Sequence, residues 1–317
     1  MKLRNLVIQN IIFLLAFFSL SSYAAEQAKT SKFGDGTLKV YKNIPYGKNR
    51  SHKFDVYTRD GLSNAPVIFM VHGGAWKTGN KGSKSVIKNK IERWLPAGFV
   101  FISINYRLIP KVSSPIAQAE DVRNALIAAQ KQAVAWGGDP EKFILMGHSA
   151  GAHLVGLVSA SANKHMKKGG KRWLGTVLLD SAALDVPAIM KKKHYSFYDK
   201  AFGKNKRFWA KASPRHQLMS GVPPILITCA SGRKGACQQA NSYASKANSL
   251  GIDVYVVSKD LSHKKMNEDL GASNGYTADV ESFLSGLDLN AKEAIEKQML
   301  ITGEESKLSA LKRWTAK

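Results

Sequence analysis

Along this chain, short apolar runs alternate with longer stretches in which apolar residues recur every three or four positions. The short runs predict strands at 53–59, 66–72, 99–106, 142–147, 174–180, 223–230 and 254–258. The most regular of the longer stretches, 116–136, puts Val122, Leu126, Ala129 and Ala133 on one helical face. Runs such as Val67-Ile68-Phe69-Met70-Val71 are apolar at every position, the pattern of a strand buried on both faces. Strand and helix in alternation predict an α/β fold, a doubly wound and mostly parallel sheet covered by helices. Two segments depart from the rhythm. Residues 186–222 are long, basic and aromatic, with Lys191-Lys192-Lys193-His194 followed by Tyr195, Phe197, Tyr198, Phe202, Phe208 and Trp209. An insertion of this kind lies over the carboxyl edge of the sheet, and a lid is expected there. Residues 289–317 read as a helical extension of two amphipathic helices divided near Thr302-Gly303, docked on the outside of the domain.

The amino terminus changes the expected compartment. Lys2 and Arg4 precede an apolar run from Leu6 to Leu20, and Ser22-Tyr23-Ala24 supplies small residues at the −3 and −1 positions of a cleavage site. Residues 1–24 are therefore expected to be a secretory signal, followed by one domain over 25–288. The run is shorter than the ~20 apolar residues a membrane span needs, so a periplasmic or secreted protein is expected, not an integral membrane protein. Lys and Arg number 47 against 23 Asp and Glu, a net charge of +24. Such a balance suits anionic surfaces. No RNP, zinc-finger or basic-zipper pattern accompanies it, and no specific nucleic-acid binding is expected. Two cysteines cannot build a four-ligand zinc site, so the core must come from apolar burial and no metal is expected.

Candidate chemistry begins at Gly147-His148-Ser149-Ala150-Gly151, where a strand must turn into a helix. In a G-x-S-x-G elbow the serine adopts a strained backbone and the flanking glycines avoid collision with neighbouring chain. A second element, His72-Gly73-Gly74-Ala75-Trp76, leaves the 66–72 strand at the same edge of the sheet. Its small residues let amide N–H groups approach a reacting carbonyl, so Gly74, Ala75 and Ala150 are the expected oxyanion donors. Packing and loop support are expected of His72 and Trp76.

The stretch from Pro66 to Leu157 resembles the α/β-hydrolase superfamily, in particular the hormone-sensitive-lipase-like and bacterial feruloyl-esterase-like carboxylesterases. The two motifs above, with Asn105-Tyr106-Arg107-Leu108, Glu120-Asp121-Val122 and Gly137-Gly138-Asp139-Pro140, follow in that family's order. The resemblance covers roughly residues 37 to 287 and implies serine hydrolysis of small carboxylic esters without a cofactor. Asn105 to Leu108 and Asp121 are expected to serve packing and a structural ion pair.

A serine hydroxyl needs an imidazole to take its proton. Of eight histidines, only His263 follows the last predicted strand, where this fold places its base. The acid departs from the family pattern. Those esterases carry it on the loop after the strand that here is 223–230, yet no Asp or Glu occurs from Cys229 to Ile252. Asp180, at the tip of the preceding strand, is the expected replacement, as in pancreatic-type lipases; Asp185 and Asp260 are the alternatives. Asp185 also reads as a helix N-cap ahead of Val186-Pro187. Cys229 and Cys237 enclose seven residues in a chain with a secretion signal, and a disulfide between them is expected. An esterase with Ser149, His263 and Asp180 is the leading expectation. An amide or formamide hydrolase or acyl-peptidase with the same triad, and a binding module with an idle site, are the alternatives.

Overall fold

The computed structural model describes residues 28–33 and 36–304. The expected signal segment and the second half of the carboxyl-terminal extension lie outside the described residues.

The architecture follows from the apolar strands. In β4 (Ala65–Val71) all seven residues are buried. Val67, Phe69 and Val71 enter one core while Ile68 and Met70 enter a second on the opposite face. A strand whose alternate side chains serve two cores must be apolar throughout. Around it lie β5 (Val100–Ile104), β6 (Gly138–His148), β7 (Gly175–Leu179), β8 (Ile225–Ala230) and β9 (Val254–Lys259). With β1 (Ala28–Phe33), β2 (Gly36–Pro45) and β3 (Lys53–Arg59) they form a nine-stranded sheet in the order β1-β2-β3-β5-β4-β6-β7-β8-β9. Every pairing from β5 to β9 is parallel, and the β1–β2–β3–β5 edge is antiparallel.

Helices close both faces. Side chains of α1 (Lys84–Ala97) fill the second core, whereas α2 (Pro115–Gln132) and α3 (Ala150–Ala160) fill the first. After the short α4 (Ala162–Lys167), the 186–222 insertion folds into α5 (Val186–Met190), α6 (Ser196–Phe202), α7 (Lys206–Lys211) and α8 (Pro214–Gln217). Val186, Phe202 and Trp209 anchor it in the first core. The chain ends with α9 (Ala236–Asn248), α10 (Lys265–Glu268), α11 (Gly275–Ser285) and α12 (Leu289–Ile301).

Two features differ from the sequence reading. β1 and β2 were not expected, because the register of β2 against β3 shifts between Tyr41 and Ile44, where Asn43 has φ 61°, and the alternation breaks. The 116–136 helix ends at Gln132 and tightens into a 3₁₀ turn over Ala133–Trp136, closed by the left-handed Gly137. The described half of the extension, α12, turns Ala291, Ile295 and Met299 into the second core and leaves Leu289, Leu300 and Ile301 exposed, and Glu304 beyond it pairs with the buried Arg93.

Candidate active site

The carboxyl ends of β4, β6, β7 and β8 open on one crevice, a pocket of about 670 Å³ lined by Ser149, Ala150, Gly74, Ala75, Arg233 and His263 among others. Ser149 sits between β6 and α3 with φ 57° and ψ −117°, a conformation L-residues rarely hold. Its N–H donates to the Leu179 carbonyl at 2.9 Å. The glycines of the elbow are required by contact. A Cβ on Gly151 would stand 2.2 Å from the Val71 oxygen, and one on Gly147 would stand 2.5 Å from the Gly151 oxygen.

His263 follows β9, and its Nε2 lies 3.0 Å from Ser149 Oγ. On the other side of the ring, Nδ1 lies 2.5 Å from Asp180 Oδ2. With Asp180 ionised, the ring donates from Nδ1 and leaves Nε2 free to accept the serine proton. Asp180 follows β7 at φ 48° and is fully buried. Its Oδ1 accepts from the Ala230 N–H at 3.0 Å, while Arg233 Nη1 donates to its Oδ2 at 3.1 Å and to its backbone oxygen at 2.6 Å. Burial alone would raise this carboxyl. The His263 hydrogen bond, the Arg233 charge and the Ala230 N–H outweigh it and hold the group below its ordinary range.

The two competing carboxylates are placed elsewhere. Asp185 caps α5, accepting from the Ala188 N–H at 3.1 Å. Asp260 is exposed and makes no hydrogen bond to His263 among the described residues. Cys229 and Cys237 are joined in a disulfide. It closes the loop after β8, which carries Arg233.

The expected donors line the same pocket as Ser149 and His263. Gly74 and Ala75 adopt φ 117° and 48°, and among the described residues no acceptor takes the N–H of Gly74, Ala75 or Ala150. Their loop is fixed from behind. Trp76 Nε1 donates to His153 Nδ1 at 3.1 Å, and His153 Nε2 donates to the Ala212 oxygen at 2.8 Å, so donor loop, α3 and insertion share one neutral imidazole. Burial pushes His153 down to about 4. His72 stacks on Tyr106 at 4.5 Å, and burial brings its imidazole down to about 4 too. Arg107 and Asp121 form a bidentate pair at 2.8 and 2.7 Å.

Sequence reasoning missed the groups that hold the His263 segment. His148 Nε2 donates to the His263 carbonyl at 2.9 Å, and burial lowers this imidazole to about 3. Lys90 of α1 is buried, and its Nζ donates to the Asn267 oxygen at 2.5 Å. Burial pulls the ammonium down to about 7. A lysine in an amphipathic helix reads as solvated, so nothing in the sequence pattern marked it. Arg233 was visible only as part of an acid-free loop. Among the described residues, no three or more His, Cys, Asp or Glu side chains are grouped to hold a metal ion, and no helix is long and apolar enough to cross a membrane.

Comparison with known proteins agrees with this architecture. The chain is 35% identical to the esterase LipQ of Mycobacterium tuberculosis over 125 residues, 38% of this chain and 29% of that protein. It is 27% identical to the kynurenine formamidase of Salmo salar over 124 residues, 39% and 40% of the two chains. The chain thus spans well under half the length of these curated relatives. Among solved structures, a truncated carbohydrate esterase from gut microbiota superposes with TM-score 0.65 at 19% identity, covering 80% of this chain and 96% of that one. Esterase B from Lactobacillus rhamnosis superposes with TM-score 0.62 at 15% identity, covering 94% and 97%. At these identities the likeness establishes the α/β-hydrolase fold. The family model BD-FAE matches residues 54–234, more than half of the chain and a span that includes Gly74, Ser149, Asp180 and Arg233, so the protein belongs to the BD-FAE family.

Proposed function

We propose that the protein is a serine hydrolase of carboxylic esters, with Ser149 as nucleophile, His263 as base and Asp180 as the orienting acid. The observation that carries this reading is the continuous hydrogen-bonded line from Asp180 Oδ2 through both nitrogens of His263 to Ser149 Oγ, facing three unpaired N–H groups. His263 Nε2 takes the hydroxyl proton as Ser149 Oγ attacks the ester carbonyl. The oxygen that gains charge sits among the N–H groups of Gly74, Ala75 and Ala150, each worth about 2.7–4 kcal/mol of barrier. The imidazolium then gives its proton to the departing alkoxide. Water, deprotonated by the same ring, releases the acid and frees Ser149.

A formamide or amide hydrolase would use the same atoms, and the similarity to a formamidase favours testing that bond beside esters. The reading further includes a small-molecule ester as substrate, without a cofactor, and a periplasmic or secreted location. The Cys229–Cys237 disulfide supports an oxidising compartment, and amino-terminal sequencing of the protein exported by its host should begin at Ala25. For the chemistry, a fluorophosphonate probe should label the wild type and not Ser149→Ala, and p-nitrophenyl esters should be turned over only by the wild type. A folded Ser149→Ala protein with wild-type esterase activity would sink the proposal. Absence of both labelling and turnover in the wild type would favour a binding module.

A further inference from the structure

The loop that carries the acid in the resembling esterases has no carboxylate here, yet it still reaches the acid. It closes between Cys229 and Cys237 and presents two groups to Asp180: the Ala230 N–H on Oδ1 and the Arg233 guanidinium on Oδ2 and on the backbone oxygen. Arg233 and His263 meet the same carboxylate oxygen from different strands, β8 and β9. We propose that Arg233 is a positioning residue for catalysis, holding the Asp180 carboxylate in line with His263 Nδ1 and fixing the charge that the imidazole meets. The inference rests on the triad proposed above.

Three observations carry it. Asp180 has φ 48°, a conformation that does not hold itself in a residue without glycine's freedom, and Arg233 bonds both its backbone oxygen and its side chain. A simple surface ion pair would not take the backbone oxygen. The guanidinium also lines the pocket, with its side chain 25% exposed. It therefore stands at the boundary of the reacting site, where its charge is poorly screened. Finally, the nine-residue stretch 229–237 is closed covalently, so the arginine is delivered from a restrained loop.

The charge has a direction. Around the His263 ring stand Asp180 from the tip of β7, Arg233 from the loop after β8 and the His148 ring at 4.5 Å from the end of β6. Lys264 follows His263 in the chain, Glu268 lines the same pocket, and Lys90 lies behind His148. Arg233 is the cation bonded to the carboxylate that faces the ring. Removing it favours the imidazolium, which cannot accept the Ser149 proton. Loss of the hydrogen bonds also frees the carboxylate to turn away.

The test is a double-mutant cycle on a short neutral p-nitrophenyl ester. Arg233→Met should lower kcat by about ten- to a hundredfold, as small displacements in a catalytic array do, with little change in KM. It should also move the acidic limb of the kcat/KM profile upward by about half a pH unit or more. Arg233→Lys, which keeps the charge, should leave that limb near its wild-type position. In an Asp180→Asn background, Arg233→Met should cost less than about threefold, because the group it acts through is already gone. Equal losses in the two backgrounds, or an unmoved limb in Arg233→Met, would overturn the inference while leaving the triad intact. Turnover that survives Ser149→Ala would instead remove the triad on which it rests.

Discussion

Replacing Asp180 by asparagine changes almost no volume and tests the acid directly. Oδ1 faces one donor, the Ala230 N–H at 3.0 Å, and Oδ2 faces two, His263 Nδ1 at 2.5 Å and Arg233 Nη1 at 3.1 Å. An amide has one oxygen, so one side must meet a donor with a donor. With the amide nitrogen toward Ala230, a buried N–H is stranded with no alternative, at a cost of about 1–3 kcal/mol. With the nitrogen toward His263, the conflict is relieved when the ring shifts its proton to Nε2, and Arg233 keeps the backbone oxygen. The second arrangement is therefore expected. It presents N–H, not a lone pair, to Ser149 Oγ. That tautomer cannot accept the hydroxyl proton, and a loss of about 10⁴ in turnover follows, near 5.5 kcal/mol of barrier at 1.36 kcal/mol per decade. The assay is kcat/KM on a short p-nitrophenyl ester, with thermal melts to show folding and with Asp185→Asn and Asp260→Asn as controls. Asn caps a helix about as well as Asp, so Asp185→Asn should stay within a few-fold of wild type. Asp180→Asn within tenfold of wild type, or a control variant as damaged, would refute the reasoning.

Other changes test the supporting structure. Gly151→Ala puts a methyl 2.2 Å from the Val71 oxygen and 2.5 Å from the His72 oxygen, so α3 must leave β4; a loss of about 3 kcal/mol or more is expected in denaturant melts, and an unchanged midpoint would contradict it. Thiol titration of the denatured, unreduced protein should find no free cysteine, and two titratable thiols would reject the Cys229–Cys237 bond. Lys90 titrates near 7 in the fold against an ordinary 10.5, so between these values the unfolded chain binds more protons and the contribution to stability grows with pH. Wild type should therefore gain stability over Lys90→Met from pH 7 to 10, and a constant difference would show that Lys90 is not desolvated.

The sheet was legible because its central strands serve two cores at once. Continuous apolarity at Val67 to Val71 leaves few other structures open, and the glycines around Ser149 mark a strand-to-helix turn whose contacts forbid side chains. His263 and Asp180 stood out in the sequence by their place after predicted strands, and the structure sets them within hydrogen-bond distance of each other. The unread parts share one physical trait, that a residue's environment comes from distant chain. β2 carries a bulge at Asn43, which scrambles its period. Lys90 and Arg93 lie on a helix whose charged residues look like a solvated face, yet Asn267 and Glu281, far along the chain, take them inside. Arg233 lies in a loop marked in the sequence only by a missing carboxylate, and its partner Asp180 stands at the tip of the preceding strand, 53 residues earlier in the chain.

Backbone strain concentrates where the chemistry is read. Six non-glycine residues among those described have positive φ. Two are asparagines, which tolerate that region. The other four, Ala75, Trp76, Ser149 and Asp180, all border the site, and at about 1–3 kcal/mol each they store roughly 4–12 kcal/mol that the rest of the fold must offset. Three of the four are held by a partner from a neighbouring element. Ser149 donates to Leu179, Asp180 to Thr228, and the Trp76 oxygen accepts from Ile109 and Gln118. Asp180 is thus secured by the same parallel ladder that secures Ser149, one strand further along. This is why moving the carboxylate from the loop after β8 to the tip of β7 does not require a new scaffold. A strand tip offers a strained, neighbour-braced position wherever the sheet ends, and the vacated loop needs only to supply donors to the carboxylate's outer side.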